Sequence, residues 1–305
     1  MESENRLLLR RRLAHWPVIA AVLAFIACSE HDTAYAGPRL RLATAGKVVG
    51  AFATAVRGNQ VAIAWFETAG FDTAVFVSRS IDGGSSFSAE LRVSPPGERT
   101  MHRSDEAPQV ELILDPDGFA QPFLAWSRAA GGSSEIVWSY TVDGTTYSKP
   151  ATIPGSAGRG TRTLITLARD SADRVFATWE VSGASEASRA AAMWQASTDG
   201  MFPARRLHAK AASPALAEPP ERSSRGARLA DGSWVGVWTD SSRAPGTLRL
   251  HRSGVGTSKG SERASPDVAL GNGTGPIVAF PGTGPILIWI SHRDTGREIN
   301  VIPLR

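Results

Sequence analysis

Five tryptophans, each closing a short apolar run, constrain this chain more than any other feature. Trp65, Trp126, Trp179, Trp238 and Trp289 end "QVAIAW", "QPFLAW", "RVFATW", "SWVGVW" and "PILIW", at spacings of 61, 53, 59 and 51 residues. Helical repeats fill roughly 33 to 47 residues with one to three helices, whereas a longer period suits a unit of four strands, one propeller blade. The text around each Trp fits that unit. Before it stand "VELILDPDG", "LITLARDSAD", "ARLADG" and "IVAFPGTG", each a strand with a tight turn. After it come "TAVFVSRS", "SEIVWSYT", "AAAMWQAS", "GTLRLHRS" and "EINVIPLR", and a fourth strand follows in four units, as in "FSAELRVSP" and "YSKPATIPG". Alternating apolar and polar positions mark these runs as half-buried strands.

The fifth unit reaches Arg305 with its third strand, so its fourth must come from elsewhere. "GPRLRLATAG" belongs to no unit and reads like "AELRVSPPG". Residues 38 to 44 are therefore expected to supply the outer strand of the last blade, which would pair the two chain ends and remove an exposed sheet edge. The expected fold is all-β, one propeller domain over 37–305, with five blades favoured. A sixth stays open if the segment between Ala211 and Arg228 hides a degenerate blade. Composition agrees: 30 Gly and 19 Pro among 305 residues leave little material for exposed helix faces.

Charge excludes one class of partner. The formal net charge is +4, of which +2 lies in the first 27 residues, where Arg6, Arg10, Arg11 and Arg12 outweigh Glu2 and Glu4. No run of basic residues follows, so a nucleic-acid footprint is not expected.

Residues 1–36 read as an export signal. A basic start precedes an apolar core from Pro17 to Ala27, shorter than the ~20 residues a spanning helix needs. Two processing sites stand open. "AYA" before Gly37 has the small-x-small form of ordinary cleavage, while "FIAC" resembles a bacterial lipobox ending at Ala27, with Cys28 as the lipid-modified residue. Cys28 is the single cysteine, so no intramolecular disulfide can form. Either route predicts an exported chain, periplasmic, secreted or held at the cell envelope.

"SRSIDGGSSF" carries Ser80, Asp82, Gly84, Ser86 and Phe87 in the pattern S-x-D-x-G-x-[ST]-[FW]. Shortened copies are "TVDGTTY", with Asp143, Gly144 and Tyr147, and "STDGMF", with Asp199, Gly200 and Phe202. The Asp is suited to accept turn N–H groups, and Gly supplies positive φ. This pattern is the Asp box, and the chain resembles the bacterial neuraminidase (BNR) repeat of sialidase-like propellers from about residue 38 to 305. The resemblance implies that these boxes are architectural and peripheral to a central pocket. It would also imply an Arg-Ile-Pro motif, three carboxylate-gripping arginines, a Tyr nucleophile with its Glu, and an Asp acid. Arg-Ile-Pro is absent, and Tyr35, Tyr140 and Tyr147 are the only tyrosines, none placed as a nucleophile.

A weaker constellation lies in the loops leading into the first strand of each unit, which converge on the channel of a propeller. "HRSDEAPQ" carries Arg103, Asp105 and Glu106, "GRGTR" carries Arg159 and Arg162, and "ERSSR" carries Arg222 and Arg225. The arginines would form an anion pocket, and Asp105 or Glu106 would serve as an acid. "GVGTSKGS" lacks the ending of a phosphate loop, and His102, His208, His251 and His292 have no metal-ligand spacing, so no cofactor and no metal are expected. The expected function is a non-catalytic binding or scaffolding module at the bacterial envelope, not an enzyme. Its partner would be a glycan, a peptide or an envelope protein, with membrane contact only through Cys28. A glycoside hydrolase with an atypical catalytic set is the alternative.

Overall fold

The computed structural model describes residues 40–42, 48–70, 72–101, 106–115, 117–182, 188–195, 200–203, 226–228, 233–240, 246–253, 268–293 and 296–304. These form nineteen strands and no helix. Sheet one contains β2 (Val48–Arg57), β3 (Gln60–Ala69), β4 (Asp72–Ser80) and β5 (Leu91–Arg92) in that order. Sheet two contains β6 (Gln109–Leu114), β7 (Ala120–Ala130), β8 (Ser133–Tyr140) and β9 (Ala151–Thr152). Sheet three contains β10 (Thr161–Arg169), β11 (Val175–Ser182), β12 (Ser188–Gln195) and β13 (Gly200–Pro203). All three are antiparallel meanders.

The other described strands form one sheet of seven. It holds β14 (Gly226–Arg228), β15 (Trp234–Asp240), β16 (Thr247–Ser253), β17 (Val268–Ala279), β18 (Ile286–Arg293) and β19 (Gly296–Pro303). β1 (Leu40–Leu42) completes it, pairing antiparallel with β19 so that Leu40 faces Val301 and Leu42 faces Ile299. The pairing of the two chain ends is thus present. Units four and five were expected as separate meanders, but β17 serves both. Its first part pairs with β16 and its second with β18. Gly271 and Gly275, at φ 107° and 62°, let one strand change partners without an intervening loop.

Layers of side chains hold the sheets face to face. On β3, Ala62, Ala64 and Phe66 pack toward sheet two with Leu112, Leu124 and Trp126. The alternate residues Ile63 and Trp65 pack toward β18 and β19 with Ile288, Ile290 and Val301. Both faces of β3 are therefore dry, which explains a nearly continuous apolar run. A third layer joins sheets two and three through Phe123, Ile136 and Trp179. Trp65, Trp126 and Trp179 are fully buried in these layers, and Trp289 is fully buried in a fourth, with Val235, Val237 and Leu248. The repeat exists because each layer needs one large, flat side chain.

β2 packs beside β6 and β17, and β6 beside β10, so these inner strands are successive neighbours. They define two rims. At the leading rim the inner strands begin; at the trailing rim they turn back. The Asp-box turns lie on the trailing rim. Asp82 accepts from Ser86 N and Oγ at 2.9 and 2.6 Å and from Ser80 Oγ at 2.7 Å, while Gly84 N donates to Ser80 Oγ at 2.8 Å. Asp143 accepts from Thr145 N, Thr146 N and Thr141 Oγ1 at 2.8, 2.7 and 2.9 Å. Gly84 and Gly144 sit at φ 87° and 72°, where a side chain would be strained. Phe87 and Tyr147 pack back against the layers on either side of sheet one. Asp199 lies outside the described residues; Gly200 and Phe202 fall in β13.

Candidate functional site

Three consecutive sheets bring glutamates to the leading rim, and in sheet two Glu98 and Glu135 are taken up by Arg128. Glu67 lies on β3 opposite Val49, the second residue of β2, and is 2% exposed. Glu180 lies on β11 opposite Thr163, near the start of β10. Glu106 precedes β6 by three residues and accepts a hydrogen bond from Ser127 Oγ at 2.7 Å. That same hydroxyl stands 3.3 Å from the Arg162 carbonyl, so Glu106 is tied to the opening of β10 as well.

The loop holding Glu106 has a local cause. Residues 99–101 already pair with β7, through the Thr100–Arg128 bridge and the bonds Met101 N to Ser127 O and Ala129 N to Arg99 O. β6 then resumes the pairing at Gln109 opposite Ala125. Pairing with β7 lapses between these two stretches, and Glu106 stands just before it resumes, in the kind of connection where chemistry is usually mounted. Asp105, Arg103 and His102 lie outside the described residues, as do Arg222 and Arg225.

Arg162 was expected to help form an anion pocket. Its guanidinium instead donates to the carbonyls of Gly158, Gly160, Ala157 and Ser134, at 2.6, 2.9, 3.1 and 3.2 Å, and the residue is 6% exposed. It staples its own loop. Arg159, beside it, is exposed.

A second cluster sits toward the trailing ends of the inner strands, and the sequence reading missed it. Arg57, the last residue of β2, grips Asp173 at 2.7 and 3.1 Å. Arg169, the last of β10, lies 3.0 Å from Asp173 and 3.6 Å from Glu111 on β6. Burial pushes the Glu111 carboxyl above its ordinary 4.5, against the opposing pull of the Leu112 N–H and Arg169. Burial acts the same way on Asp173, but Arg57 and then Arg169 hold it below its ordinary value. Two arginines and two carboxylates balance here, which is the pattern of a latch between three sheets. The signal was an arginine ending two first strands, in "AVRGN" and "LARDSAD".

The tyrosines are placed as packing residues. Tyr140 stacks on Trp138 and Phe123 at 5.7 and 6.5 Å, and burial pushes the Tyr147 hydroxyl well above its usual range. Among the described residues no group of three His, Cys, Asp or Glu side chains could hold a metal.

No family model matches the chain, and no curated protein matches it. Solved structures similar to it include a GH43_1 enzyme from Xanthomonas citri, 12% identical, covering 88% of this chain and 91% of that one at a TM-score of 0.43. The endo-arabinase from Bacteroides thetaiotaomicron VPI-5482 is 11% identical, covering 87% and 94% at 0.39. The catalytic domain of the GH62 alpha-L-arabinofuranosidase from Coprinopsis cinerea is 8% identical, covering 84% and 90% at 0.36. These are enzymes, and none of the three is named a sialidase. Against them the expectation of a non-catalytic binding or scaffolding module does not stand, nor does that of a chain that is not an enzyme. Neither is carried further. The likeness to BNR repeats rests on the trailing-rim turns.

Proposed function

We propose that the chain is an exported glycoside hydrolase, a propeller of five blades closed by β1, whose acid–base groups are carried on the leading rim. One arrangement supports this reading: Glu67, Glu106 and Glu180 come from three successive sheets to the end where the inner strands begin. Glycoside cleavage needs a carboxylic acid to protonate the leaving oxygen and a second carboxylate on the other side of the sugar ring. A separation of roughly 5 to 5.5 Å makes the second group a nucleophile, and roughly 6.5 to 9.5 Å leaves room for a water that it activates. Glu67, almost wholly buried beside the opening of β2, fits the acid. Glu106, on its loop and held by Ser127, fits the second carboxylate, with Asp105 beside it in sequence and Glu180 across β10. Arg159, with Arg103, Arg222 and Arg225 of the other leading loops, would recognise acidic groups on a glycan. No cofactor is required.

The test is hydrolysis of a fluorogenic glycoside panel, including α-L-arabinofuranosides and sialosides, by the purified protein. Turnover that is lost in Glu106→Gln, with an unchanged melting curve, supports the reading. Folded protein that turns over no member of the panel removes it.

A further inference from the structure

We propose that the trailing rim docks onto a lipid bilayer of zwitterionic headgroups, the membrane to which the N-terminal segment would tether the chain. Seven large hydrophobic side chains stand exposed among the described residues, and five of them are on this rim: Ile81, Phe119, Val142, Phe280 and Leu114, at 71%, 62%, 58%, 52% and 38%. Ile81 and Val142 occupy the same place in two Asp-box turns, a position whose side chain makes none of the bonds that build the turn. Leu114 and Phe119 flank the turn between β6 and β7, and Phe280 follows β17 directly.

These turns form one continuous surface. Gly83 N donates to Asn59 O and Gly282 N to Gly58 O, both at 2.8 Å, joining the turns of sheet one to the turn before β18. Arg79 donates to Gln121 Oε1 at 2.7 Å, and Gln121 donates to Asp115 at 2.9 Å, which carries the surface on to sheet two. Five apolar tips therefore stand on one linked set of turns, on the same side of the molecule.

The occupant follows from where the chain joins the fold. β19 runs down to Pro303 opposite Ile286, and Leu304 N bonds to Pro285 O, so its end lies at the trailing rim. β1 is antiparallel to it and starts at Leu40 opposite Val301, so the preceding segment joins from that same side. That segment contains the apolar run Pro17 to Ala27 and then Cys28. From Cys28 to Leu40 the chain spans at most about 40 Å, so a lipid on Cys28 would join the fold at this rim and bring it within reach of the bilayer, and the apolar tips would then set which face turns inward. The proposal rests on that anchor. A single tether with shallow apolar contacts makes the two weak signals that stable attachment requires. Asp82, Asp115, Asp117 and Asp143 stand among the apolar tips, and would repel an anionic leaflet; Asp170 is neutralised by Arg174.

The experiment reconstitutes the full chain into phosphatidylcholine vesicles with single substitutions Phe119→Cys, Val142→Cys or Phe280→Cys, and Val48→Cys at the leading rim as control. Reaction with a water-soluble maleimide is read by mass spectrometry of the labelled peptide, which keeps Cys28 separate. Trailing-rim positions should react roughly fivefold or more slowly in vesicles than in detergent, while Val48→Cys is unchanged. Adding phosphatidylglycerol should weaken the protection. Equal rates at both rims, or protein that does not sediment with the vesicles, overturns the proposal. Protection that persists in detergent and grows with protein concentration assigns the face to a second copy of the chain and overturns it too.

Discussion

Asp173 reaches back 116 residues to Arg57, holding it at two points, 2.7 and 3.1 Å, across the trailing ends of two inner strands. It does so from φ 59°, the one described non-glycine residue with positive φ. In sheet two the same turn places Gly118 there, at φ 84°. Both turns begin with an aspartate, Asp115 or Asp170, whose Oδ1 accepts the N–H groups two and four residues on. A residue with a side chain at a glycine position costs about 1 kcal/mol of backbone strain. The ion pairs to Arg57 and Arg169 offset that cost.

Replacing Asp173 separates the two effects. Asp173→Ala keeps the strain and loses the pairing, and should lower stability by about 2 kcal/mol. Asp173→Gly loses the pairing but relieves the strain, so it should unfold at a higher urea concentration than Asp173→Ala. The reverse order would show that the backbone here is not strained by a side chain.

Glu111 gives a pH signature. Its folded-state pKa is raised, so its contribution is complete below about 4.5 and is lost as pH rises through the folded value. Glu111→Gln has no such loss. The stability of the wild type relative to Glu111→Gln should therefore decline as pH rises above about 4.5. A difference independent of pH would mean that burial is not what governs this carboxyl.

The Asp-box carboxylates have the opposite sign. The hydroxyl of Ser86 holds Asp82 below its ordinary value, and the Thr146 and Thr145 amides do the same for Asp143. Their contribution is present above about pH 4 and is lost as pH falls through the folded values. Acid unfolding followed by circular dichroism should become shallower in the Asp82→Asn, Asp143→Asn double variant. Asp82→Ala should cost about 1 kcal/mol at neutral pH through turn amides left to water.

Glu98 is a further point of fragility. Its carboxylate takes the Trp126 indole N–H at 2.8 Å and Arg128 at 3.2 Å, and Arg128 also reaches Glu135 at 2.6 Å. The Glu98 side chain is 7% exposed. Glu98→Ala leaves a buried indole donor unpaired and should cost about 2 to 3 kcal/mol, measured by urea unfolding.

Much of this architecture was legible because it is periodic. The tryptophan period located the meanders, and "GPRLRLATAG" located β1, since a strand lacking its partner in sequence must find it elsewhere. β2 was harder: "VVGAFATAVR" has three alanines, a glycine near its start and an arginine at its end, which weaken its strand pattern. The fusion at β17 was hidden because glycines signal a loop as readily as a change of partner. The leading-rim arginines were over-read, because a sequence cannot show that Arg162 turns onto its own loop's carbonyls. Glu67 was overlooked since it follows a Trp in an apolar run, where register alone brings it beside the opening of β2. The latch was invisible for a simpler reason: its four members come from three sheets.

The account divides the molecule into a leading rim that does chemistry and a trailing rim that holds sheets together. The measurement that tests this most directly is kcat on the best glycoside of the panel for Glu67→Gln, Glu106→Gln, Glu180→Gln and Glu111→Gln, each with its melting temperature. The account predicts a fall of roughly 10²- to 10⁴-fold in the leading-rim variants that supply the acid and the second carboxylate, and near-normal kcat in Glu111→Gln. Turnover intact in all three leading-rim variants, or abolished in a folded Glu111→Gln protein, would contradict it.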